Sequence, residues 1–238
     1  MTMTLRSLLV AAALACALAA APAANADIDT MAPSSKQAYT AKVLAPTVAR
    51  SQPGGGQVVA RLGAQAPLYG GSNVLLVLDA KTVDGVQYLQ VRLPKRPNSS
   101  SGWVSADSMY VSATPYRVVV DLSARKVTIF KAGRKLTSTR AVVGAGRTPT
   151  PTGLFAVTEK VPQPRGSELG RHVVALAAHS DVHKTFAGGD GTIGMHGYER
   201  LGDRLGSAAS NGCIRVPARF LSRLVRLVPP GAPVLVQP

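Results

Sequence analysis

Cys213 is the residue of this chain best suited to covalent chemistry. It lies in Ser210-Asn211-Gly212-Cys213-Ile214-Arg215, a stretch of small and polar residues rather than an apolar run. Most free cysteines are buried small hydrophobes, and these flanks argue against that reading. The thiolate is the nucleophilic form, yet an isolated thiol titrates near ~8.5, so it needs a neighbouring base or cation. Histidine is the usual partner. The chain has His172, His179, His183 and His196. His196 is best placed. It follows the strand-like Thr192-Ile193-Gly194-Met195, precedes Gly197, and stands 17 positions before Cys213, far enough for the chain to fold back. Arg215 adds local positive potential. The other three histidines read as surface or hydrogen-bonded structural residues, with His179-Ser180 on a flap over the site. A zinc site is weakly supported: His179 and His183 are four apart, but HExxH is absent and no second cysteine follows residue 16.

The elements that must position this pair are mainly strands. From 38 to 112 short strands alternate with turns: Val58–Leu62, Val74–Leu78, Tyr88–Leu93 and Gly102–Val104, punctuated by Gly54-Gly55-Gly56, Gly70-Gly71, Asp84-Gly85 and Pro97-Asn98-Ser99. Several short strands at close spacing predict a small barrel or sandwich. A second β-rich region runs from 116 to 238. Arg117–Leu122 and Lys126–Phe130 read as a hairpin across Ser123-Ala124-Arg125, and Thr139–Val143 as a third strand. Leu154–Val157 resumes strand character after a loop rich in Gly, Pro and Thr. His172–Ala178 is apolar and ambiguous. One helix is clear: Pro217 stands at its first turn, Phe220, Leu221, Leu224, Val225 and Val228 follow at helical spacing, and Pro229-Pro230-Gly231 ends it. The fold class is therefore mainly β, with one C-terminal helix.

The bulk numbers narrow the setting. The chain has 238 residues, 46% hydrophobic and 16% charged, with 23 Gly and 17 Pro, which fits a folded, turn-rich protein. Residues 1–26 carry one charge, Arg6, then an apolar run from Leu8 to Ala21 and the small-x-small Ala24-Asn25-Ala26. This reads as an export signal, in preference to a membrane anchor or a lipid attachment at Cys16. Residues 27–37 read as a linker. Removal of the signal leaves Cys213 as the single thiol, so no disulfide can form within the mature chain. The formal charge of +15 is spread along the chain. An exported basic protein is drawn to anionic wall polymers. Nucleic acid is disfavoured, because no aromatic-interleaved basic patch or zinc spacing supports it. No stretch after the signal is long and apolar enough to span a bilayer.

Met195-His196-Gly197 followed by Ser210-Asn211-Gly212-Cys213-Ile214-Arg215 resembles the signature of the L,D-transpeptidase (YkuD-like) catalytic family. Thr150-Pro151-Thr152-Gly153 with Phe155 resembles a second element of that family, and the likeness spans roughly 116 to 238. Residues 38–112 resemble a bacterial SH3-like module, through Tyr88–Pro97 and Gly102-Trp103-Val104. The family's cysteine motif commonly reads Ser-His-Gly-Cys, and this chain has Asn211 at the histidine position. The resemblance implies an acyl transfer on peptidoglycan stem peptides, with Cys213 as nucleophile and His196 as base, the second imidazole nitrogen of His196 holding a backbone carbonyl, here that of Gly197. It implies backbone donors for an oxyanion near Gly212 and Cys213, a backbone role for Gly197 through that carbonyl, and substrate or supporting roles for Ser210, Asn211 and Arg215. Arg215 either pairs with a stem carboxylate or buttresses the loop. The mechanism needs no metal and no cofactor. Competing readings are a non-catalytic wall binder and an L,D-carboxypeptidase or hydrolase using the same site.

Overall fold

The computed structural model describes residues 31–186, 188–199 and 201–238. The expected export signal over 1–26, Cys16 and the first part of the expected 27–37 linker lie outside the described residues. The chain is mostly β. Its strands before Pro115 form one sheet, and those after it an eight-stranded and a two-stranded sheet.

The first sheet contains β1 (Ala38–Val43), β2 (Thr47–Gln52), β3 (Gly55–Leu62), β4 (Val74–Val83), β5 (Val86–Arg92), β6 (Ser101–Ser105) and β7 (Met109–Thr114). They pair antiparallel in the order β3-β2-β6-β5-β4-β1-β7. The four strands expected here are β3 to β6. The additional β1, β2 and β7 are rich in Ala, Thr and Ser, and they gain their strand identity from pairing rather than from an apolar pattern. Their buried residues, among them Ala41, Val43, Val77, Leu89 and Val91, form one core.

The second part contains β8 (Tyr116–Asp121), β9 (Lys126–Lys131), β10 (Arg134–Arg140), β11 (Val143–Gly144), β12 (Gly153–Pro162), β13 (His172–His179), β14 (Thr192–Gly197), β15 (Ala208–Ser210), β16 (Ile214–Val216), α1 (Ala218–Leu227) and β17 (Pro233–Gln237). Eight of these form a sheet in the order β10-β9-β8-β17-β12-β13-β14-β16, and β11 pairs with β15. The β8–β9 hairpin forms as expected, with Val118 opposite Ile129. The strand expected over 139–143 instead divides into β10, which ends at Arg140, and the two-residue β11. Val142 leaves the ladder between them to exchange backbone hydrogen bonds with Arg215 at 2.9 Å in both directions.

Val118, Val120, Phe155, Val157, Val174, Leu176, Ile193, Met195, Ile214, Val234 and Val236 fill one core, which α1 closes with Phe220, Leu221 and Leu224. Pro217 takes the cap position one residue before the helix. The opposite face of the sheet is covered as well: Ala156 and Ala177 pack against Ala38 and Leu76 of the first sheet. A strand buried on both faces loses its polar alternation. This is why His172–Ala178 resists assignment from its pattern alone. No helix among the described residues is long and apolar enough to cross a membrane.

Candidate active site

Two neighbouring strands set the geometry of the site. β14 and β16 run parallel, with Met195 opposite Ile214 and His196 opposite Arg215. Successive side chains on a strand point to opposite faces. Met195 and Ile214 are fully buried in the core, so His196, Arg215 and, two residues before Arg215, Cys213 share the other face. Parallel neighbours require a crossover of a dozen residues or more. The segment 198–213 provides it, and closes the separation between His196 and Cys213. Both side chains line a cleft of about 230 Å³ together with Asn211, Arg215, Ser180 and Thr192.

His196 is only 5% exposed. Its Nδ1 lies 2.8 Å from the Gly197 carbonyl oxygen. A carbonyl only accepts, so Nδ1 carries the proton and the Nε2 lone pair stays available as a base. Burial pushes the imidazole down to about 4, the Gly197 carbonyl opposes this, and the Arg215 charge adds to the depression. Cys213 is a free, partly buried thiol. Burial pushes it up, against a smaller opposing hydrogen bond from the Gly194 backbone. Both shifts disfavour charge. The resting pair at neutral pH is therefore thiol and neutral imidazole, not thiolate and imidazolium.

The cysteine loop is braced from two sides. Ser210 is fully buried. Its hydroxyl donates to the Cys213 carbonyl at 2.5 Å and accepts the Gly212 N–H at 3.2 Å. The Thr150 hydroxyl donates to the Gly212 carbonyl at 2.7 Å and accepts the Gly144 N–H at 2.9 Å. Thr148 donates to the Ser210 carbonyl at 2.9 Å. Gly212 has φ +110°, a conformation that side chains rarely adopt. Gly144 packs so tightly that a Cβ there would lie 2.3 Å from the Thr150 nitrogen. Thr148 is thus a supporting residue that the sequence did not single out, and Thr150, named there only within a family-like element, gains a specific role. Their signal was two hydroxyls, each beside a proline, in a loop rich in Gly, Pro and Thr.

The Gly212 amide differs from expectation: it is engaged by Ser210 and is not a free donor for an oxyanion. The Gly197 N–H donates to the Leu169 carbonyl at 2.8 Å, and Gly197 meets the site with its carbonyl. Arg215 lines the cleft but forms an ion pair with Asp203 from the crossover. Asn211 is exposed at the cleft rim. His179 is buried, with Nε2 3.0 Å from an Asp190 carboxylate oxygen, and His183 stacks near Phe186. Among the described residues no group of three or more His, Cys, Asp or Glu side chains is disposed to hold a metal ion.

The family model for the L,D-transpeptidase catalytic domain (YkuD) matches residues 115–236. The chain is 29% identical over 156 residues to the "Putative L,D-transpeptidase YkuD" of Bacillus licheniformis, covering 63% of this chain and 86% of that protein. It is 26% identical over 150 residues to the protein of the same description from Bacillus subtilis, covering 60% and 83%. Among solved structures, the NMR structure of the catalytic domain from the E. faecium L,D-transpeptidase is 24% identical, with a TM-score of 0.40, covering 51% of this chain and 96% of that one. On the strength of the matched family model, the chain belongs to the YkuD family of L,D-transpeptidase catalytic domains.

Proposed function

We propose that this protein is an exported peptidoglycan L,D-transpeptidase with Cys213 as nucleophile and His196 as general base. The observation that carries the reading is the shared strand face of His196 and Cys213, with Nδ1 of His196 committed to the Gly197 carbonyl. Cys213 Sγ attacks the carbonyl carbon at the third residue of a tetrapeptide stem. Nε2 of His196 takes the thiol proton as the C–S bond forms and delivers it to the departing D-alanine amine. An amine of a neighbouring stem then attacks the thioester, passes its proton through His196 to the sulfur, and leaves a new peptide bond. Because the resting pair is neutral, charge develops during the attack rather than before it. The Cys213 N–H is the donor proposed for the oxyanion, with the side-chain amide of Asn211 in place of the Gly212 amide.

Residues 1–26 act as the export signal, and residues 38–112 as an SH3-like wall-associated module joined to the catalytic domain at 116–238. The net positive charge favours residence among anionic wall polymers. The test is product analysis on purified tetrapeptide-stem muropeptides. Cross-linked dimer with release of D-alanine supports the transpeptidase. D-alanine release without dimer supports the carboxypeptidase, and no turnover supports a non-catalytic wall binder.

A further inference from the structure

We propose that the first sheet builds one wall of the catalytic cleft: the turn between β5 and β6, through Arg96 and Asn98, fixes the backbone arm 179–183 in the position that receives the peptide stem. This rests on the reading of the cleft given above. Asn98 grips the arm at two points. Its Nδ2 donates to the His179 carbonyl at 2.7 Å, and its Oδ1 accepts the His179 N–H at 2.9 Å. The same Nδ2 lies 3.1 Å from an Asp181 carboxylate oxygen. Arg96 Nη2 donates to the carbonyls of Ser180 and His183, both at 3.1 Å. It also approaches Gly191 so closely that a Cβ there would lie 3.0 Å from Nη2. Ser180, His183 and Gly191 line the cleft with Cys213 and His196.

The arm is held otherwise at its start, where His179 ends β13 opposite Thr192 and meets Asp190, and much less after the buried Ser180. Val182 beside it is 51% exposed and so contributes little core packing. Its internal bonds are those from the Val182 and His183 amides to the Ser180 hydroxyl, at 3.3 and 3.0 Å, with one backbone bond from Ser180 to Gly191 at 2.8 Å. The turn, in contrast, belongs to a sheet anchored elsewhere. The buried Glu159 carboxylate on β12 accepts the Leu68 and Tyr69 amides at 2.7 and 2.9 Å, and Ala38 and Leu76 pack on Ala156 and Ala177. A rigid base therefore meets an arm whose 181–183 end is weakly self-supported, through four backbone-directed hydrogen bonds. Arg96 and Asn98 touch none of the reacting atoms; they are positioning residues, and they make the first sheet a part of substrate recognition.

The experiment compares the full chain with Arg96→Ala and Asn98→Ala, and with Glu159→Gln, which loosens the same interface away from the arm. Hydrogen exchange of peptides covering 179–183 is read beside KM and kcat on tetrapeptide-stem muropeptides. The expected result in the Arg96 and Asn98 variants is exchange and KM each raised about five- to tenfold, the effect of losing one or two hydrogen bonds, with kcat changed much less. Arg96→Lys restores part of both, and Glu159→Gln leaves both near wild type. If Asn98→Ala fails to fold, Asn98→Asp, which keeps the acceptor and loses the donor, replaces it. Unchanged exchange at 179–183 in the Arg96 and Asn98 variants, or an equal rise in Glu159→Gln, overturns the proposal. Absence of turnover in the wild type removes the enzymatic reading, and the exchange measurement then decides the clamp by itself.

Discussion

Acidification should destabilise this fold through one histidine. His196 is buried and titrates near 4, where an ordinary imidazole titrates at 6.5. Between these values the unfolded chain binds a proton at this position and the folded chain does not. Stability is therefore present above 6.5 and is lost as pH falls toward 4. The gap, at about 1.4 kcal/mol per pH unit, corresponds to roughly 3 kcal/mol. Titrating carboxylates add their own losses in the same range, so the contribution must be read as a difference. Urea unfolding at pH 7, 6, 5 and 4 on the wild type and on His196→Gln isolates it. Wild type should lose about 3 kcal/mol more than the variant across this range, most of it between pH 6 and 4. Parallel curves for the two proteins would refute the reasoning, because they would mean that the imidazole protonates as freely folded as unfolded.

Three further outcomes follow from the same contacts. The acid limb of kcat/KM should fall near pH 4 rather than 6.5, since the free enzyme needs neutral His196; a limb at 6.5 on a pH–rate profile would contradict the burial of the base. Arg215→Gln removes a positive charge that helps hold His196 down, so it should move that limb upward by less than the burial effect, and an unmoved or lowered limb would show that Arg215 does not act on the imidazole. Thr150→Val leaves the buried Gly212 carbonyl and the Gly144 amide unpaired, at a cost of about 1–3 kcal/mol, measurable as a lowered unfolding midpoint. Unchanged stability would mean that water or another group replaces the hydroxyl.

The proposed pair could be singled out because its signal is local. The strand before His196, the glycine beside it and the polar flanks of Cys213 each have a physical reading within a few residues. The alternation of Tyr88–Leu93 and the spacing of Phe220, Leu221 and Leu224 were legible for the same reason. What escaped depends on partners distant in sequence. Val142 forms its backbone bonds with Arg215, which ends β10 earlier than its composition suggests. β15 and β16 are three residues each and exist only through pairing with β11 and β14. The oxyanion expectation failed at Gly212 because the partner of that amide, Ser210, is chosen by the folded loop. Asn98 read as turn punctuation, and its grip on His179 lies 81 positions away.

The central claim is that Cys213 performs an acyl transfer with His196 as its base. Mass spectrometry of purified tetrapeptide-stem muropeptides, incubated with the wild type and with Cys213→Ala, tests it most directly. The wild type should yield a cross-linked dimer and free D-alanine, and the variant neither. Dimer formation by Cys213→Ala at the wild-type rate would contradict it.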